Sequence, residues 1–82
     1  MSTSKLFQST SLDLIRFIIN QSALPLTLSE IIASLRKQGA YGGMGDAECR
    51  KAVQARLVEL RNRGELVSRH NEKGVLEWSI KP

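Results

Sequence analysis

The sequence predicts an α+β domain of three helices followed by a β-hairpin, and three observations carry that expectation. Residues 53–66 set Val53, Leu57 and Leu60 at i, i+4, i+7 on one helical stripe, which then stops at Gly64. Upstream, Thr27-Leu28-Ser29-Glu30 spells a T-x-x-E helix start. Beyond Gly64 the period shortens to two, with Leu76, Trp78 and Ile80 alternating with Glu77 and Ser79 as in a half-buried strand.

Taken in order, residues 1–9 are polar and serine-rich, with Leu6 and Phe7 as their large apolar pair. They read as a flexible arm ahead of a domain covering residues 10–82. Thr10 offers a capping hydroxyl with the Asp13 carboxylate three residues on, so a first helix is expected over residues 10–22. Its Leu12, Leu14, Ile15, Phe17, Ile18 and Ile19 span roughly 220° of the wheel, where one buried face needs little more than about 100°. One neighbour does not cover that arc. Pro25 lacks an amide donor and disfavours helix at Leu24. Thr27 then caps a second helix carrying Leu28, Ile31, Ile32 and Leu35, with Leu26 and Ile31 placed as a hydrophobic staple. Leu26 to Leu28 also reads as a minimal first strand. Gly39 ends the second helix near Gln38.

Residues 39–45, GAYGGMG, hold four glycines and form a turn or flexible connector. Asp46 is the natural cap of a third helix over residues 47–63, and Gly64 supplies the left-handed conformation that ends it. Two extended runs follow, residues 65–69 and 75–80, joined by His70-Asn71-Glu72-Lys73-Gly74.

At 82 residues this is a single domain. A chain this short buries only about 60–65% of its unfolded surface, so the core is small and an elaborate pocket is not expected. The net charge of +4 leans toward polyanionic partners. Its placement matters more. From Arg50 to Arg63 five cations (Arg50, Lys51, Arg56, Arg61, Arg63) face one acid, Glu59, so the whole excess fits in the third helix. One cysteine, Cys49, excludes an internal disulfide, and with the single His70 it makes no zinc cluster. No stretch has the form of a signal peptide or a membrane span, and a reducing, cytoplasmic setting is expected.

On the wheel of the third helix Cys49, Val53, Leu57 and Leu60 point inward, opposite Arg50, Lys51, Gln54, Ala55, Val58 and Arg61. A helix that reads nucleic acid needs that set. Cations meet phosphates, a glutamine can bond adenine bidentately, an arginine can bond guanine, and small residues allow close approach.

The full pattern, V-x3-L-x2-L-x3-G-x-L with basic residues in the gaps, resembles the third helix and first wing strand of winged helix-turn-helix DNA-binding domains such as the MarR-type repressors. The resemblance covers residues 12–80 and identifies a superfamily. It implies a winged-helix fold with helix three in the major groove of double-stranded DNA and the hairpin as a wing. Arg50, Lys51, Gln54 and Ala55 would then lie nearest the base edges and Arg61 nearer a phosphate. At the wing tip Arg69, Asn71 and Lys73, with His70, would meet the minor groove or backbone. A compact helix-turn-helix joins its helices by about three or four residues; the glycine-rich join here is about twice that. Arg50-Lys51, Gln54, Val58, Gly64 and Trp78 also sit where winged-helix readers of Z-form nucleic acid place lysine, asparagine, tyrosine, glycine and tryptophan. The asparagine, the tyrosine and the proline pair before the tryptophan are missing, so the likeness is one of scaffold, not specificity.

Each feature also has a plainer reading. The basic face would be a solvated surface with Glu59 paired to Arg63 at i, i+4. Cys49, beside two cations at a helix start, has the surroundings of a redox sensor but faces the core, which favours a small buried hydrophobe. The glycine loop lacks the lysine and hydroxyl of a nucleotide-binding loop and reads as a connector. Trp78 reads as the hairpin's anchor in the core. His70 has no identifiable nucleophile or carboxylate to work with, and no enzyme activity, metal or cofactor is expected. The excess apolar arc on helix one, Leu14 and Phe17 above all, is expected to be covered by Leu6, Phe7 and the wing or by a second copy in a homodimer. The favoured reading is therefore a small DNA-binding transcriptional regulator. Its rival is a protein-interaction module on the same frame, with residues 39–45 and helix one as contact surfaces.

Overall fold

The computed structural model describes the backbone of residues 3–82 and the side chains of residues 12–82. Met1, Ser2 and the Leu6 and Phe7 side chains lie outside the described residues. The elements run α1 (Thr3–Gln21), β1 (Leu26–Thr27), α2 (Leu28–Lys37), α3 (Asp46–Asn62), β2 (Leu66–His70) and β3 (Leu76–Ile80). Among the described residues the architecture is α+β, three helices and a three-stranded antiparallel sheet of order β1-β3-β2.

The first helix begins at Thr3 rather than at Thr10, so the backbone of residues 3–9, expected as an arm, continues the helix. No proline or glycine stands between Thr3 and Gln21. A capping preference at Thr10 is worth only about 1 kcal/mol and does not forbid helix before it. Ile15, Ile18 and Ile19 are buried, and Leu12 and Leu14 pack against the core. Most of the broad apolar arc is thus absorbed within the chain, and Phe17 remains 51% exposed.

The capping box forms as expected. Thr27 Oγ1 accepts from the Glu30 amide at 3.3 Å and Glu30 Oε1 accepts from the Thr27 amide at 2.8 Å. Leu26 and Thr27 also pair with Trp78 and Glu77, so the two-residue β1 ties the start of α2 to the middle of β3. Both α2 and α3 close with the same device. Gly39, at φ 86°, donates to Arg36 O, and Ala40 donates to Leu35 O. At the second site Gly64, at φ 81°, donates to Arg61 O while Glu65 donates to Leu60 O. This is the Schellman arrangement, and it turns the chain sharply into the next segment.

The starts of α3, β2 and β3 differ from expectation. The cap of α3 is Gly45, with no side-chain hydrogen bond, and Asp46 is the first residue of the helix. Asp46 instead pairs with Arg36 at 3.1 Å, and Arg36 also donates to Met44 O at 3.1 Å, so its guanidinium spans the end of the loop. The strands begin one residue later than the sequence suggested, β2 because Glu65 is used in closing α3 and β3 because Asn71 shapes the turn. Its Oδ1 accepts from the Lys73 and Val75 amides at 2.9 and 3.0 Å, with Gly74 at φ 78°. The loop between α2 and α3 is also anchored. Ala40 is buried, and Tyr41, in the left-handed region at φ 59°, packs against the core.

Candidate nucleic-acid interface

The inward stripe of α3 is the core's central element: Cys49, Val53, Leu57 and Leu60 are all fully buried. That burial fixes the helix's rotation, and Arg50, Lys51, Gln54, Ala55 and Arg61 consequently face solvent. Val58, expected on the same outer face, is half-buried against the core. Cys49 is a free, buried thiol.

The cations of α3 divide into two groups. Arg56 and Arg63 share Glu59, at 3.7 and 3.2 Å, so one carboxylate offsets part of their charge. Arg50 and Arg61 are held by neutral partners. Arg50 Nη1 donates to Ser29 Oγ at 3.1 Å, joining α3 to the first turn of α2. Arg61 Nη1 donates to Ser68 Oγ at 2.8 Å, and its guanidinium carbon lies 5.3 Å from the centroid of the Trp78 ring. Both side chains are therefore oriented without being neutralised, and a cation–π contact leaves the charge in place. Among the described residues Lys51, Arg69 and Lys73 form no ion pair. At the hairpin tip Asn71 is committed to the turn on its oxygen side, while its Nδ2 donates to Glu77 at 3.3 Å. Arg69 stands opposite Glu77 in the ladder without pairing to it. Arg69 and Lys73 are thus available to an outside partner, and Asn71 is chiefly a turn residue.

Sequence reasoning identified the buried and exposed faces of α3 but not what holds the arginines. The Ser29 and Ser68 hydroxyls lie 21 and 7 residues from their partners, and no local spacing rule links them. Between α2, α3 and β3 the Arg50–Ser29 contact borders a cleft of about 240 Å³, lined also by Thr27, Leu28, Gln54, Val75, Leu76 and Trp78.

The opposite end of α3 carries the tightest ion pair. Arg16 Nε donates to Glu65 Oε1 at 2.6 Å and Nη2 to Oε2 at 3.0 Å, a two-pronged contact, while Nη1 reaches Asp13 at 2.8 Å. This joins α1 to the chain leaving α3. The hydrogen bonds from Arg16 hold the Glu65 carboxyl below its ordinary pKa, outweighing the opposing effect of partial burial, and Glu65 in turn raises Arg16. Because the folded pKa of Glu65 is depressed, its stabilisation is fully present above the unfolded carboxylate value of about 4.3 and is lost as pH falls through the folded value. Thermal midpoints should therefore decline more steeply below about pH 4 in the natural protein than in Glu65→Gln; parallel curves would show that the pair contributes nothing.

Among the described residues no cluster of three His, Cys, Asp or Glu side chains could hold a metal ion, and no helix is long and apolar enough to cross a membrane. No protein family, curated protein or solved structure matches the chain.

Proposed function

We propose that this chain is a winged-helix DNA-binding protein, a cytoplasmic transcriptional regulator that lays α3 in the major groove and the β2–β3 hairpin on the backbone as a wing. The observation that carries the reading is the state of Arg50, Lys51 and Arg61. They are exposed on the face opposite a buried stripe, and no carboxylate neutralises them. Gln54 and Ala55 lie on the same face and supply, respectively, a base-reading amide and room for close approach. The order of elements and the strap of β1 on β3 are compatible with the winged-helix frame.

With Arg50, Lys51, Arg61, Arg69 and Lys73 each meeting a phosphate, the logarithm of the association constant should fall against the logarithm of salt with a slope near −4.5, about 0.9 per phosphate. A flat dependence would refute the reading.

A regulator of this size needs a second copy to cover a specific site. Phe17 and Ile80 border a groove of about 600 Å³ whose lining also holds Asp13, exposed though paired with Arg16, and Lys81 just beyond β3. Opposite charges on one patch suit a two-fold interface, where each group meets its complement on the other copy. The groove also contains Gly64 and Glu65, just past the C-terminal end of α3, so a dimer there leaves Arg50 and Lys51 free. Light scattering at micromolar concentration is expected to give about twice the 9.1 kDa chain mass, and Phe17→Asp should return the monomer. A natural protein already monomeric would rule this interface out.

The rival, a protein-interaction module, draws on exposed Met44 in the loop beside Arg36. Under that reading partner binding survives reversal of the α3 charges.

A further inference from the structure

The cleft between α2, α3 and β3 shares Arg50 with the proposed phosphate-contacting face, but the rest of its lining is of another kind. Leu28, Val75, Leu76 and Trp78 supply its apolar lining, and Arg50 and Gln54, with Thr27 and Ser29, supply the polar part. At about 240 Å³ it is smaller than the roughly 300–1,000 Å³ that encloses a drug-sized ligand, and a single heterocycle suits it better. Such a ring would be flat and apolar on its faces, with hydrogen-bonding groups on one edge and an anion nearby. An unstacked nucleobase with its phosphate has that description.

We propose that this cleft receives one unpaired purine, adenine foremost, with Gln54 reading its edge and Arg50 holding the attached phosphate. The Gln54 carbonyl accepts from the exocyclic amine, and its amide donates to a ring nitrogen, the two-pronged match glutamine makes with adenine. Arg50 is already directed across the rim by its 3.1 Å bond to Ser29, a neutral partner that leaves its charge for a phosphate. The α2 start to which Ser29 belongs is fixed by its capping box and by β1, so one wall is preformed. The inference rests on the proposed nucleic-acid reading for the source of the base, since a bulge or loop in a duplex would supply it. A free nucleotide has the same chemistry.

The chain has one tryptophan, and it lines the cleft, so its emission reports occupancy. Three probes are titrated into the natural protein: a duplex with one bulged adenine, the fully paired duplex of the same flanks, and adenosine monophosphate. The bulged duplex is expected to bind about tenfold tighter than the paired one, at the lower part of the range a bidentate base contact gives, and to change Trp78 emission beyond what the paired duplex produces through Arg61, whose guanidinium lies over the ring. Val75→Phe, at a partly exposed position on the cleft wall, fills the space; it should erase the preference and leave paired-duplex affinity unchanged. Circular dichroism and the thermal midpoint establish that this variant is folded, and Val75→Leu serves in its place if it is not. Equal binding of the two duplexes with the same emission change from each overturns the base site and leaves the DNA-binding reading standing. Should neither duplex bind while the mononucleotide shifts Trp78 emission in a Val75→Phe-sensitive way, the site is supported with a free nucleotide as its ligand, and the DNA-binding reading alone fails. Silence from all three probes overturns both.

Discussion

Replacing Arg50 and Lys51 together with glutamate is expected to weaken duplex DNA binding at least about a hundredfold at physiological salt. The two substitutions turn two positive charges into two negative ones on the surface proposed to face the groove. Loss of two phosphate contacts alone should flatten the salt slope by about 2. The new carboxylates add repulsion, which grows as salt falls. Stability should change by less than about 1 kcal/mol, because both side chains are exposed and the single bond lost, from Arg50 to Ser29, lies at the surface. Arg56→Glu is the matched control. It sits on the same helix, but its charge is already shared with Glu59, and an effect under about threefold is expected. Filter binding or fluorescence anisotropy across a salt series measures all three. A loss from Arg56→Glu half as large on a logarithmic scale, in proportion to its halved charge change, would mean that net charge alone, not this face, governs binding. No loss in either would leave the protein-interaction reading in possession of the site.

The face of α3 was legible because helical periodicity and burial are tied together by geometry. Once Cys49, Val53, Leu57 and Leu60 pack inward, most positions well away from that stripe turn to solvent, with Val58, half-buried against the core, as the exception. The glycine stops at Gly39 and Gly64 were legible for a similar reason, since the left-handed residue that closes a helix is locally determined. What the sequence did not reveal depends on how elements meet. The Arg16–Glu65 pair spans 49 positions, and the stacking of Arg61 on Trp78 requires the helix and hairpin to cross at one particular place. Tyr41 gave no signal at all, because tyrosine has no preference for the left-handed region that the loop imposes on it. Asp46 misled because a good capping residue one position beyond the actual cap looks identical in sequence; its carboxylate has Arg36 as an alternative partner, visible only when α2 and the loop are in place. The first helix misled for the converse reason. A capping signal marks where a helix can start, and nothing upstream prevented an earlier start.

Leu57→Ala is expected to remove about 3 kcal/mol of stability, roughly a quarter or more of the total. Leu57 is fully buried at the centre of the α3 stripe, among side chains that belong to every major element of the core. Truncating a buried leucine costs about 2–5 kcal/mol, the transfer term plus that of the cavity left behind. Total stability for a domain of this length is only about 4–12 kcal/mol, so the loss is a large part of the whole. In urea, where a small domain has a slope near 1 kcal/mol per molar, the midpoint should fall by roughly 2–3 M with the slope unchanged. Trp78→Ala would be at least as damaging but less informative, since it also removes the ring beneath Arg61 and a wall of the cleft. Leu57 is neither the ring beneath Arg61 nor a residue lining the cleft, so its effect reports chiefly the packing that sets the helix's rotation. Val58→Ala, one position along and only partly buried, provides the comparison at under about 1.5 kcal/mol. Reversal of that order, with Val58 the costlier loss, would mean that α3 presents a different face to the core, and the outward placement of Arg50, Lys51 and Gln54 would go with it.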